Sequence, residues 1–332
     1  MDPVAHPIAI LGAGAWGTAL ALHLSRQGQA VRLWAHDPKQ TAVLSKERIN
    51  HRYLPSHPFP DALQPIIELR DALDQVNDIL IAVPSIGFRD LLLTLKPLLH
   101  PLSRIAWATK GLDEKTGQLL HETVRDCLGK EYPLAVVTGP SFATEVANKQ
   151  PTAIVVASND LSFARDLAAR FNTSFFRVYT STDIIGAEIG GAIKNVLAIA
   201  TGIADGMGLG ANARAALLTR SLVEMMRLGT ALDAQTETLI GLAGLGDLIL
   251  TATDNQSRNR RFGLSIGQGN NHLLSEKEMG GVVEGKRNAE LVMQLAVRHN
   301  VSMPITQAVR DILRGAITPA DAMQALLARP TY

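Results

Sequence analysis

The chain has a single cysteine, Cys127, so no intrachain disulfide can form, which suits a reducing compartment. It has almost no net charge: 32 lysines and arginines against 31 aspartates and glutamates leave +1. Binding to the phosphate backbone usually shows as a strongly basic domain, so no nucleic-acid partner is expected. The one basic run, Arg258-Asn259-Arg260-Arg261, is too short to alter that. Every long apolar stretch is broken by charge or by glycine clusters, which argues against a membrane span. The N-terminus turns apolar at once without a basic leader or a small-residue cleavage pattern. No signal peptide is expected, and the expected location is the cytoplasm. What is present is 332 residues, 46% of them hydrophobic, enough for a full core and for two domains.

The two halves are patterned differently. Up to about residue 180, short apolar runs alternate with helical spacing. Ile8-Ala9-Ile10-Leu11, Val31-Arg32-Leu33-Trp34, Ile79-Leu80-Ile81-Ala82-Val83, Ile105-Ala106-Trp107-Ala108, Leu134-Ala135-Val136-Val137 and Ile154-Val155-Val156 read as buried strands. The segments from Asp90 to Leu99 and from Thr116 to Leu128 have helical spacing. Continuous apolar strands separated by helices predict a parallel sheet covered on both faces, the doubly wound α/β architecture. Beyond residue 182 only long helical patterns follow, near 183–205, 212–233, 285–299 and 304–314. The expected division is a Rossmann-like domain over 1–181 and an all-helical domain over 182–332. Thr180-Ser181-Thr182-Asp183 at the boundary reads as a helix N-cap cluster rather than a tether.

Gly12-Ala13-Gly14-Ala15-Trp16-Gly17 follows the first strand directly and opens a helix. In such a fingerprint Gly12 permits a tight turn, Gly14 lets backbone approach a pyrophosphate, and Gly17 lets helix and strand pack closely. The helix N-terminus adds unpaired N–H groups for the anion. A dinucleotide is therefore the expected ligand. At the end of the second strand the chain reads Trp34-Ala35-His36-Asp37, with no acid at the position nearest the expected ribose contact. His36, with Arg32, would suit a 2′-phosphate, while Asp37 before Pro38 either meets the ribose or caps a helix. The pattern favours NADPH and leaves NADH open.

In open parallel sheets, ligands bind outside the carboxyl ends of the strands. Those ends supply Lys110, either a substrate-binding cation or a solvated loop lysine. They also supply Gly139 and Ser141, either substrate contacts or a simple turn. In the second half, Lys194 interrupts a segment, Ile184 to Ala200, that is apolar nearly all round. A buried ammonium is costly and its proton easily lost, so a role in proton transfer outweighs a lysine snorkelling to the surface. Such a lysine would stabilise charge on a carbonyl oxygen and deliver its proton as hydride arrives. Asp247, in Gly244-Leu245-Gly246-Asp247-Leu248, would orient it. Ser257-Arg258-Asn259 offers a hydroxyl, a planar guanidinium and an amide to a phosphate. Arg260 and Arg261 read as a solvated helix face. Glu284, after Val282-Val283, would meet a ribose hydroxyl or cap a helix.

Together these motifs resemble those of the bacterial-type NAD(P)-dependent glycerol-3-phosphate dehydrogenases. The match runs almost the whole chain: 12–19, 108–112 (Ala-Thr-Lys-Gly-Leu), 139–143 (Gly-Pro-Ser-Phe-Ala), 190–195 (Gly-Gly-Ala-Ile-Lys-Asn), 205–212 (Asp-Gly-Met-Gly-Leu-Gly-Ala-Asn), 244–248 and 257–263. The resemblance implies reduction of dihydroxyacetone phosphate to glycerol 3-phosphate with NADH or NADPH, feeding glycerophospholipid synthesis, usually as a homodimer. No metal is expected. It assigns Lys194 as the proton-transferring residue, and Lys110, Gly139, Ser141, Asp247, Ser257, Arg258 and Asn259 as substrate contacts. Coenzyme contacts would be Gly12, Gly14, Trp16, Gly17, His36, Lys110, Ala143, Arg258, Val282 and Glu284, with Thr251 and Asn195 in support. Ala15, Ser221 and Ala252 stand where that family usually has serine, glycine and cysteine. The rival readings are a two-domain dehydrogenase acting on a 3-hydroxy acid or a phosphorylated sugar acid, and a nucleotide-sensing regulator without chemistry.

Overall fold

Apolar runs without polar alternation form strands buried on both faces, and six such runs build the centre of the molecule's sheet. The computed structural model describes residues 6–129, 132–270, 279 and 281–328. Its strands are β1 (Ile8–Leu11), β2 (Val31–Trp34), β3 (Ile49–Asn50), β4 (Leu54–Pro58), β5 (Leu63–Ile66), β6 (Asp78–Ile81), β7 (Arg104–Trp107), β8 (Leu134–Thr138), β9 (Thr152–Ser158) and β10 (Phe176–Ser181). Eight of them form one sheet in the order β10-β9-β8-β7-β6-β1-β2-β5, and β3 and β4 form a separate antiparallel ribbon. β1 lies between β2 and β6, parallel to both. The chain leaves β1 to one side and later returns on the other, which opens a crevice at the carboxyl ends of β1 and β6.

The sheet departs from the expected all-parallel arrangement at one edge, where β9 runs antiparallel to β8 and parallel to β10. The link from β8 to β9 contains only the five-residue helix Ala143–Ala147. At about 1.5 Å per residue that helix is shorter than the strand it would have to span, so the chain turns back instead of crossing over. β5 and β10 were not expected as strands, and both are edge strands. β5 carries Pro65, and most side chains of β10 are at least partly exposed, so neither shows a continuous apolar run.

The chain divides into two compact units, Met1–Asp113 with Leu120–Ile184, and Glu114–Leu119 with Ile185–Tyr332. The second contains no strand among its described residues. It is built from helices Gly210–Ala231, Asp247–Thr253, Arg258–Gly267, Glu284–Arg298, Pro304–Leu313 and Pro319–Leu327 around most of the 23-residue helix Ile184–Gly206. That helix is long and apolar enough to cross a membrane by length and composition, and 94% of its most apolar window is buried inside the protein. The segment 114–119 is tied to the Glu284–Arg298 helix by Arg298, which donates to the Gly117 carbonyl at 2.6 Å.

In the first unit His23 is buried among the rings of Phe171, Phe175 and Phe176, and its Nε2 donates to the Phe171 carbonyl at 2.7 Å. Burial pushes the imidazole below its ordinary pKa; the Phe171 bond opposes the shift and the Arg26 charge adds to it. The unfolded chain therefore takes up a proton below its value of 6.5 that the folded chain refuses, and stability falls as pH falls through that value. His23→Gln keeps a donor for the carbonyl and does not titrate. Urea midpoints at about pH 7.5 and about pH 5.5 should show the variant losing less stability than the parent on acidification. A difference between the two proteins that does not change with pH would clear His23 of this role.

Candidate active site

The three glycines after β1 are present for different reasons. Gly12 has φ +126°, and a Cβ there would lie 2.6 Å from the Ala82 carbonyl oxygen on the loop after β6. A Cβ on Gly17 would lie 1.9 Å from the Gly12 carbonyl oxygen. Protein packing thus forbids a side chain at both. A Cβ on Gly14 would meet nothing within 4 Å, so packing does not explain that glycine. It opens the helix Ala15–Ser25, whose N-terminus has no side-chain cap. An open glycine beside uncapped N–H groups fits a bound pyrophosphate. From behind, the turn is held by Asn50 and Gln40, whose amides both donate to the Ala13 carbonyl at 3.1 Å. Sequence reading missed both, because neither lies near the fingerprint in the chain.

Trp16 and Ala143 pack against the same apolar core, and the Trp16 indole N–H is buried with no hydrogen-bond partner among the described residues. His36 is exposed just beyond β2, its ring edge-on to Trp34 at 6.2 Å. Arg32 does not join it. Its guanidinium donates to the Asp71 carbonyl at 2.8 Å and to that of Asp74, because its strand position points it at the end of the Leu69–Leu73 helix. Asp37 caps the Pro38–Glu47 helix, accepting from the Lys39 N–H at 2.9 Å. At the next strand ends, Lys110 Nζ and Ser141 Oγ both donate to the Gly139 carbonyl, at 3.4 and 3.0 Å. Lys110, Gly139 and Ser141 therefore form one cluster, with Gly139 at φ +132°.

In the second unit Lys194 does not snorkel. It is 6% exposed, and its Nζ donates to Asp247 Oδ1 at 2.5 Å and to Thr251 Oγ1 at 2.9 Å. The carboxylate offsets the water lost by the ammonium. Asp247 and Thr251 share one face of the Asp247–Thr253 helix, which follows a π turn, Leu242–Gly246. Ser257 is the N-cap of the Arg258–Gly267 helix and accepts from the Arg260 N–H at 3.2 Å. Asn259 Nδ2 donates to Asn195 Oδ1 at 3.0 Å, and Asn195 Nδ2 donates to Glu284 Oε2 at 3.0 Å. Val282 precedes Val283, the N-cap of the helix that Glu284 begins.

The two arginines on either side of Asn259 behave in opposite ways. Arg260 is not a solvated face residue. It is buried, ion-paired with Asp205, and bonded to Asn255 Oδ1 and the Ala252 carbonyl, each at 3.0 Å. Half-buried Arg258 has no hydrogen bond or ion pair among the described residues. It lies beside Gly281, where a Cβ would come within 2.4 Å of its Nη1. No group of three or more metal-ligating His, Cys, Asp or Glu side chains occurs among the described residues.

These groups are positioned by backbone contact. A Cβ on Gly202 or Gly206 would strike the Arg260 or Leu264 carbonyl oxygen at 2.2 or 2.3 Å. On the facing helix, one on Gly263 or Gly267 would strike the Ile199 or Ile203 carbonyl oxygen at 2.1 or 2.2 Å. A Cβ on Gly190 would lie 2.3 Å from the Ala243 carbonyl oxygen. The glycines thus seat Lys194 and Asn195 against the elements that carry Asp247 and Asn259.

Residues 7–164 match the family model for the N-terminus of NAD-dependent glycerol-3-phosphate dehydrogenase, and residues 183–324 match the model for its C-terminus. The chain is 51% identical over 329 residues to a glycerol-3-phosphate dehydrogenase [NAD(P)+] of Coxiella burnetii (strain RSA 331 / Henzerling II), covering 99% of this chain and 98% of that one. It is 51% identical over 323 residues to the enzyme of the same name from Tolumonas auensis, covering 97% of each. It also resembles a crystal structure of glycerol-3-phosphate dehydrogenase from Coxiella burnetii, at 52% identity and a TM-score of 0.95, covering 98% of this chain and 99% of that one.

Gly263→Ala tests the seam between the helices. The substitution improves helix propensity by about 1 kcal/mol, but backbone cannot yield to its methyl group as a side-chain tip can. Denaturant unfolding should show a net loss of about 1–3 kcal/mol. Unchanged or increased stability would mean that the two helices are free to separate.

Proposed function

We propose residue roles from one premise: this chain belongs to the NAD-dependent glycerol-3-phosphate dehydrogenase family. It is an NAD(P)-dependent oxidoreductase that reduces dihydroxyacetone phosphate to glycerol 3-phosphate. The observation that carries the roles is the buried Lys194–Asp247–Thr251 group, a proton donor with a fixed counterion on a largely apolar helix.

When bound, the reduced nicotinamide supplies the hydride that the carbonyl carbon receives. Lys194 stabilises the negative charge growing on the carbonyl oxygen and passes a proton from Nζ to it; in the oxidative direction the neutral amine takes the hydroxyl proton. Asp247 and Thr251 hold Nζ in place and cannot follow the substrate. Arg258, without a partner among the described residues, takes the phosphate together with Ser257 and Asn259. Lys110, Gly139 and Ser141 are the further substrate contacts. Gly12, Gly14 and Gly17 shape the pyrophosphate turn. Trp16, His36, Lys110, Ala143, Arg258, Val282 and Glu284 complete the coenzyme contacts.

The product supplies glycerophospholipid synthesis in the cytoplasm, and the enzyme acts as a homodimer.

Lys194→Ala should lower kcat by about two to four decades, the usual value of positioned acid–base help, while fluorescence titration shows coenzyme binding retained. Near-normal turnover would move the proton transfer to another group. His36→Asp should set a carboxylate against a 2′-phosphate and lower the ratio of kcat/KM for NADPH over NADH by about tenfold or more. If the ratio holds steady, His36 does not face the adenosine ribose.

A further inference from the structure

Three hydrogen bonds in the second unit form a closed ring. The Gly285 peptide N–H donates to Asn259 Oδ1 at 2.9 Å. Asn259 Nδ2 donates to Asn195 Oδ1 at 3.0 Å, and Asn195 Nδ2 donates to Glu284 Oε2 at 3.0 Å. The ring closes because Glu284 and Gly285 are neighbours in the chain. Its direction is fixed at both ends by groups that cannot reverse: a peptide N–H only donates and a carboxylate only accepts. Each amide between them therefore has one permitted orientation. Gly285 permits the closure, since a Cβ there would fall 2.6 Å from the Asn195 carbonyl oxygen and 2.9 Å from Asn259 Oδ1. Asn195 and Asn259 are 3% and 8% exposed, so little water is available to replace a broken member.

We propose that Asn195 is a positioning residue that couples coenzyme affinity to substrate affinity by linking the Glu284 carboxylate to the Ser257–Asn259 cap. This rests on the coenzyme role proposed for Glu284 and the phosphate role proposed for that cap. A coenzyme that fixes the Glu284 carboxylate fixes the Asn195 amide, and through it the Asn259 amide beside Arg258. Lys194 immediately precedes Asn195, so the same closure sets the helix turn that carries the proton donor.

Asn195→Asp is the decisive change. It keeps the oxygen that accepts from Asn259 but replaces the donor to Glu284 with a second carboxylate, so the ring opens by repulsion at neutral pH. The assay is calorimetric affinity for dihydroxyacetone phosphate with and without saturating oxidised coenzyme, a pair that cannot react. The wild type should gain about 5-fold or more from the coenzyme, within the usual range of coupling. Asn195→Asp should show almost no gain at neutral pH, and the gain should return as acidification lets the two carboxylates share a proton. It should also return at neutral pH in Asn195→Asp/Glu284→Gln, where the new amide donates to the new carboxylate: the link between the two positions is rebuilt with that one bond reversed, and the bonds made by Asn259 keep their direction. Glu284→Ala opens the ring from the other side and should abolish the gain too, which keeps the test standing if Asn195→Asp does not fold. Coupling retained in Asn195→Asp, absent in the wild type, or lost without recovery in the double variant would overturn the proposal. A wild type that does not reduce dihydroxyacetone phosphate would instead count against the reaction roles, a separate and visible result.

Discussion

The second unit depends on backbone meeting backbone without side chains between. Gly202 and Gly206 on one helix, with Gly263 and Gly267 on the other, each leave room for a carbonyl oxygen where a methyl group would sit at about 2.1–2.3 Å. Helix axes ordinarily stay 8–10 Å apart because side chains hold them there. Removing the side chains at the contact shortens that distance, so the short polar groups at the start of the Arg258–Gly267 helix can reach the Ile184–Gly206 helix directly. The Asn259–Asn195 bond needs that approach; a longer gap would require water or a longer side chain. Glycine in a helix interior costs about 1 kcal/mol relative to alanine, so four of them mark a place where close approach is worth more than propensity.

The first unit uses glycine for the opposite purpose at one position. Gly12 and Gly17 are forced by packing, as the seam glycines are, whereas Gly14 faces open space. Packing is satisfied at every point of the turn except the one where a ligand would have to approach the backbone. A glycine turn that only packed helix on strand would give no reason for the open one.

The central strands, the fingerprint and the long helices were legible in the sequence because each is a local pattern of period or spacing. The edge strands β5 and β10 were not, because partial exposure and Pro65 remove the continuous apolar run by which buried strands are recognised. The reversal of β9 was hidden because strand direction depends on the length of a connection rather than on strand composition. At the site, Lys194 was legible as a charge in an apolar helix, and its pairing with Asp247 across 53 positions was expected from residue type. Arg32 and Arg260 were misjudged for one reason: sequence shows that an arginine is present but not whether backbone carbonyls or a carboxylate already occupy it. Asn50, Gln40 and the amide ring were invisible, since single polar residues far apart in the chain carry no periodicity.

Three buried charges of the second unit are paired or hydrogen-bonded within the protein. Buried Arg260 has Asp205, buried Lys194 has Asp247, and buried Glu224 accepts from the Thr306 N–H at 3.1 Å and its hydroxyl at 2.9 Å. Burial pushes the Glu224 carboxyl up, and the bonds from Ile305 and Thr306 oppose the shift. Arg258 has no such compensation among the described residues, and it occupies the first residue of a ten-residue helix. A helix start carries partial positive charge, so a cation there costs roughly 0.3–1 kcal/mol instead of contributing it. Ser257, the cap, satisfies one N–H but brings no negative charge. A guanidinium at the positive end of a helix dipole, with no partner among the described residues, is not explained by the contacts around it. A phosphate arriving at the same point would be attracted by the guanidinium and by the helix terminus together, turning both unfavourable terms into favourable ones.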